Sequence, residues 1–120
     1  MIKDYLGYAS YVHAGAVTRQ WNDPFNIITI GGTKIVFSSV SVTTNTASAS
    51  SATFPYYGYA TVTFPTGTFT SAPKIICNIQ RHAAYWNVSA TAIDKNGFIA
   101  RVAGDANNSS STVQWLAIGT

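Results

Sequence analysis

The residues best suited to chemistry in this chain are Arg81, His82 and Tyr85, in the stretch Arg81-His82-Ala83-Ala84-Tyr85-Trp86 between two apolar segments. Sugars present apolar C–H faces that stack on aromatic rings, and hydroxyls that take hydrogen bonds from planar polar groups. A connection holding Arg, His and Tyr together offers both. Trp86 is in phase with Val88 and Ala90 and reads as core, whereas Tyr85 points the other way. Arg and Tyr are also enriched at subunit contacts, so this stretch reads equally as a ligand site or an interface. A second cluster, Phe54-Pro55-Tyr56-Tyr57-Gly58-Tyr59, places tyrosines in a Gly/Pro-bracketed loop. Tyr56 and Tyr57 give it rigid, amphipathic contact area for recognition, or for a subunit seam. Asp105, Asn107 and Asn108 supply hydrogen-bonding groups in a third loop, Gly104 to Ser111, whose composition also suits an ordinary solvated turn.

Catalytic constellations are missing from the pattern, and the chain is expected not to be an enzyme. The carboxylates are Asp4, Asp23, Asp94 and Asp105, with no Glu. A glycosidase needs two carboxyl groups facing each other across the scissile bond, and only Asp23 meeting Asp105 in space could supply them. A Ser-His-Asp set is formally available, but no nucleophile motif surrounds any Ser. His13 and His82 lie far apart and Cys77 sits in the apolar alternation Ile75-Cys77-Ile79, so no metal-ligand spacing exists. No metal and no cofactor is expected.

The elements that position these groups are strands. The 120 residues suit one domain. The missing Glu and only four Lys remove the usual fillers of exposed helix faces. Thr, Val, Ile and aromatics fit a pleated surface instead. From residue 34 the chain alternates: Lys34 to Val42, with a phase slip at Ser38-Ser39 that marks a bulge or burial on both faces; Ala60 to Phe64; Lys74 to Gln80; Tyr85 to Ile93; Phe98 to Ala103; and Thr112 to Ile118. Asp94-Lys95-Asn96-Gly97 reads as a hairpin turn whose Asn-Gly adopts positive φ. Phe69 is a core anchor between the breakers Pro65-Thr66-Gly67 and Ser71-Ala72-Pro73. About six strands at this spacing predict an all-β fold, an antiparallel β-sandwich. Residues 1–33 read as an irregular N-terminal arm or connecting segment, with a turn at Trp21-Asn22-Asp23-Pro24 and an apolar run Phe25 to Ile30. Residues 34–120 read as the sandwich domain.

Charged residues are only 9% of the chain, and the opposite strand faces carry Ile76, Ile99, Leu116 and Ile118. A solvated sheet face should not need them, which predicts that a second copy covers that face. The seven Lys and Arg are scattered rather than clustered, which argues against a nucleic-acid partner. No run approaches the ~20 apolar residues of a membrane span, and Met1-Ile2-Lys3-Asp4-Tyr5 lacks the apolar core of a signal peptide. Synthesis in a cytoplasm is expected.

From Ala60 to Gly119 the order is Val62-Thr63-Phe64-Pro65, Phe69-Thr70-Ser71-Ala72-Pro73, an apolar strand, Asn96-Gly97-Phe98, and Trp115-Leu116-Ala117-Ile118-Gly119. This resembles the H-type lectin-like domains at the tips of bacteriophage tail fibres and receptor-binding proteins. Ile30-Gly31-Gly32-Thr33-Lys34-Ile35-Val36-Phe37 looks like the segment that precedes such tips. The resemblance covers about the last ninety residues. It implies a six-stranded H-type-lectin-like sandwich, a homotrimer, attachment of a virion to a bacterial surface glycan or other receptor, and connection to the rest of a phage tail. In the animal members the loop before the last Trp strand holds aromatic and histidine sugar contacts. Here that loop, Gly104 to Ser111, holds neither, so the resemblance carries over the fold rather than the sugar site. The alternatives are a trimerisation cap of a fibre or baseplate without receptor contact, and a free-standing secreted lectin, which the missing signal peptide disfavours.

Overall fold

The computed structural model describes residues 17–22, 25–48, 53–80 and 86–120. Among these there are nine strands and no helix: β1 (Val17–Asn22), β2 (Phe25–Ile30), β3 (Thr33–Thr44), β4 (Thr46–Ala47), β5 (Tyr56–Thr63), β6 (Lys74–Gln80), β7 (Asn87–Asp94), β8 (Gly97–Gly104) and β9 (Ser109–Gly119). They form two antiparallel sheets, a five-stranded one in the order β1-β2-β3-β9-β6 and a four-stranded one in the order β4-β5-β8-β7. The expected all-β sandwich is therefore observed. All six strands read from the alternation are present, extended by the β1–β2 hairpin and the short β4.

The apolar run Phe25–Ile30 joins the five-stranded sheet, pairing with β3 from Ile30↔Thr33 to Asn26↔Phe37. A two-residue turn at Gly31-Gly32 makes this hairpin. Gly31 takes φ +58°, the conformation that such a tight turn favours at its first central residue. Strand β9 is the spine of the sheet, paired with β3 from Lys34↔Gly119 to Thr44↔Ser109 and with β6 from Lys74↔Ile118 to Gln80↔Thr112.

The β3–β9 register runs without a shift through Ser38-Ser39, so the phase slip there is not a bulge. Val36, Val42 and Thr44 are buried on the inner face, while Ile35 and Phe37 are half-buried on the outer one. Burial on both faces is the alternative that holds. A bulge does occur in β7, between Thr91 and Asp94, where Ala92 takes φ +49° and leaves the phase set by Val88 and Ala90.

The turn after that bulge also differs from the expected form. Neither Asn96 nor Gly97 has positive φ. Instead Asp94 Oδ1 accepts hydrogen bonds from the Asn96 N–H at 2.7 Å and the Gly97 N–H at 3.1 Å. An Asx turn closes the hairpin. Gly97 is required for a different reason: a Cβ there would overlap the carbonyl oxygen of Val62 on β5.

The core lies between the sheets. Val36, Val42, Val113, Trp115 and Ala117 face Val62, Phe98, Ala100 and Val102, with Phe64 and Phe69 from the β5–β6 connection. Trp115 is the centre of an aromatic cluster, with ring centroids at 5.3 Å from Phe98, 5.7 Å from Phe25 and 5.8 Å from Phe64. Phe64 meets Phe69 edge-on at 5.1 Å. Pairs of this kind contribute about 0.5–1.5 kcal/mol each beyond the area they bury. Cys77 packs against this core from β6, and burial pushes its thiol pKa up.

Candidate functional site

Tyr56 and Tyr57 lie in a strand, not in the loop that their Gly/Pro-bracketed sequence suggests. Tyr56 pairs with Gly104, Tyr57 with Ala103 and Tyr59 with Arg101, all across β5–β8. Alternation then separates the tyrosines. Tyr56 shares the inner-face phase of Gly58 and Val62, whereas Tyr57 and Tyr59 stand together on the outer face. Their rings meet edge-on, 5.4 Å apart at 73°. Tyr59 is 56% exposed.

The same face holds a residue that sequence reasoning missed. The Arg101 guanidinium carbon sits 5.0 Å from the Tyr57 ring centroid and 6.0 Å from that of Tyr59. Arg101 is the direct cross-strand partner of Tyr59, so its side chain leans diagonally past the small Ala103 to reach Tyr57. A lone Arg in the run Phe98 to Ala103 carries no signal by itself. Only the register of β8 against β5 reveals that it lands beside two tyrosines. On its other side β7 contributes Ser89, opposite Arg101, and Asn87, opposite Ala103.

The third expected group, Asp105, Asn107 and Asn108, occupies the β8–β9 turn with all three residues exposed. Asn108 takes φ +51°. Its N–H points at the Thr44 carbonyl (2.6 Å) and at Asn107 Oδ1 (3.0 Å). The buried Thr44 hydroxyl donates to the Ala106 carbonyl at 2.6 Å and accepts from the Ser109 N–H at 3.2 Å. This loop is pinned from below, so its side chains project from a fixed base.

The tyrosine strand and the pinned loop share one end of the sandwich. Thr44 holds the loop, and the next residue, Asn45, donates its N–H to the Tyr57 carbonyl at 3.0 Å. Gln80, paired with Thr112, and Asn87, paired with Ala103, stand at the same end. Arg81, His82 and Tyr85 lie outside the described residues, as do Asp4, Asp23 and His13. Among the described residues no group of three or more His, Cys, Asp or Glu side chains comes together.

A different surface covers the outer face of the five-stranded sheet. The register aligns Ile28, Ile35 and Ile118 in one row and Phe37, Leu116 and Ile76 in the next. Ile76 is 64% exposed, Ile30 48% and Ile118 37%. A groove of about 530 Å³ runs here, lined by Phe37, Ile76 and Leu116 with Asn26, Asn78 and Gln114. Ile99, grouped with these by sequence, belongs instead to the outer face of the other sheet, beside Thr61.

No protein-family model matches the sequence, and no curated protein matches it. The fold, in contrast, has solved counterparts. It superposes on an N-truncated R1-type pyocin tail fibre with a TM-score of 0.62 at 12% identity, over 95% of this chain and 95% of that one. A P. aeruginosa R1 pyocin fibre comprising C-terminal residues 323–701 gives the same TM-score and identity over 95% of this chain and 31% of that one. At 12% identity the fold is what they share, an all-β arrangement of antiparallel sheets.

Proposed function

We propose that this chain is the tip domain of a phage-type tail fibre, acting as a homotrimer that attaches a virion to a bacterial surface receptor, a glycan in the first instance. The observation that carries this is the tail-fibre fold spanning 95% of both chains. The work is adhesion without catalysis, metal or cofactor. Several weak sites on one particle raise avidity without any new contact. Contacts come from the end of the sandwich where Tyr57, Asp105, Asn107 and Asn108 are held, and the protein resides in the virion tail after synthesis in the host cytoplasm. The test is adsorption of fluorescently labelled protein to a panel of bacterial strains. Saturable binding to a subset of strains supports adhesion, and uniform absence of binding across the panel overturns it.

One observation favours a second reading, a trimerisation cap without receptor contact. It is the apolar outer face of the five-stranded sheet, where Ile76 is exposed beside the groove. A cap needs that face and does not need Tyr57 or Arg101. The strain panel separates the two.

A further inference from the structure

The outer face of β5, β8 and β7 is ordered by column: tyrosines on β5, Arg101 on β8, and Ser89 with Asn87 on β7. The guanidinium is held over two aromatic rings, at 5.0 and 6.0 Å. Among the described residues no carboxylate pairs with it. Asp94 is committed to its turn through Asn96 and Gly97, and Asp105 lies in the pinned loop. A planar cation fixed by ring faces keeps its fork of N–H donors available, and that fork matches a carboxylate or phosphate in a bidentate pair. Tyr59, more than half exposed, offers a face for sugar C–H groups. Ser89 and Asn87 supply hydroxyl and amide groups for neighbouring sugar hydroxyls.

We infer that Tyr57, Tyr59 and Arg101 form a subsite for an acidic saccharide, one bearing a carboxylate or phosphate on the ring that stacks against the tyrosines. This deepens the adhesion reading and rests on it. It assigns the specificity to a sheet face rather than to the loops that sequence singles out, and it places the charge preference on one residue.

The test is binding of the purified full chain to immobilised polygalacturonate, phosphomannan and neutral dextran at low salt. The expected result is retention on at least one of the acidic polymers and none on dextran. Which acidic polymer is retained tells carboxylate from phosphate. Arg101→Gln should weaken that binding at least tenfold, and Arg101→Lys should leave it intermediate, because the charge remains but the fork is lost. Equal retention of all three polymers, retention of none, or an unchanged Arg101→Gln protein overturns the subsite. A fall in sedimentation mass on Arg101→Gln also overturns it, since the face would then be a seam between copies. Strain adsorption that survives Arg101→Gln would sink this inference while leaving adhesion standing.

Discussion

The Thr44 hydroxyl donates to the Ala106 carbonyl at 2.6 Å, across 62 residues of sequence, and so ties the last strand-connecting loop to the end of β3. Thr44 is fully buried, and its oxygen also accepts from the Ser109 N–H at 3.2 Å. Thr44→Val keeps the shape and removes these bonds together with the hydroxyl's longer one to the Ser109 carbonyl at 3.2 Å. The part-buried Ala106 carbonyl and Ser109 N–H then lose a partner, which costs about 1–3 kcal/mol. A urea titration should show that loss, and Thr44→Ser should recover most of it. Hydrogen exchange at Ser109 should accelerate in the valine variant more than at Val113, two turns of the ladder away.

Two substitutions should move stability in opposite directions for one reason. Ala92 holds φ +49°, a conformation that costs an L-residue roughly 1–2 kcal/mol. Ala92→Gly removes that strain but adds unfolded-state entropy of about 0.4–1 kcal/mol, so the variant should be equal to or slightly more stable than the parent. Gly31 holds φ +58° with open space around it. Gly31→Ala therefore meets no clash. Backbone strain of roughly 1–2 kcal/mol, partly offset by about 0.4–1 kcal/mol of unfolded-state entropy, should leave it less stable by up to about 1.5 kcal/mol. Paired denaturation midpoints check the signs. A less stable Ala92→Gly protein would refute the strain account.

What the sequence made legible follows from the period of two. In β6 the exposed and half-buried residues alternate from Lys74 to Gln80 without a break, and the inward set Ile75, Cys77, Ile79 is the one read from the pattern. The inward positions Phe98, Ala100 and Val102 of β8 are equally plain. The start of β5 was hidden because Pro55 and Gly58 both speak for a turn. Gly58 is there for another cause: the Thr43 carbonyl occupies the place of its Cβ, a long-range contact that no local pattern encodes. Asn96-Gly97 marks the place of the turn in the sequence, but Asp94 rather than positive φ shapes it. The site was the least legible part. Tyr57 was visible as an aromatic, but Arg101 becomes its neighbour only through the β5–β8 register.

Cys77 gives a pH prediction with a definite sign. Desolvation by burial raises its folded-state pKa, against an unfolded value of about 8.5. The folded protein therefore binds more protons than the unfolded chain between those two values. The neutral thiol's contribution to stability is full below the unfolded pKa and declines as pH rises through the folded one. Comparing the parent with Cys77→Ala cancels the other titrating groups. The stability gap between them should shrink from pH 7.5 to pH 10. At pH 8.5 iodoacetamide should alkylate Cys77 more slowly than it alkylates glutathione.

Ile76 tests whether the second apolar face is covered. It stands opposite Leu116 in register, is 64% exposed and borders the 530 Å³ groove. Apolar area taken from water contributes about 25 cal/mol per Å², so a face carrying Ile28, Ile35, Phe37, Ile76, Leu116 and Ile118 favours association strongly. Ile76→Lys puts a charge on the edge strand of that face, beside Leu116, and a buried charge without a partner is costly. Because Ile76 lies outside the core between the sheets, the variant should fold with an unchanged far-UV spectrum. Sedimentation should show the parent as a trimer and the variant as a monomer. If strain binding depends on linked copies, it should fall in the monomer by far more than threefold, since avidity multiplies rather than adds. A variant of unchanged mass would mean that this face looks onto solvent, and the copies would have to meet elsewhere.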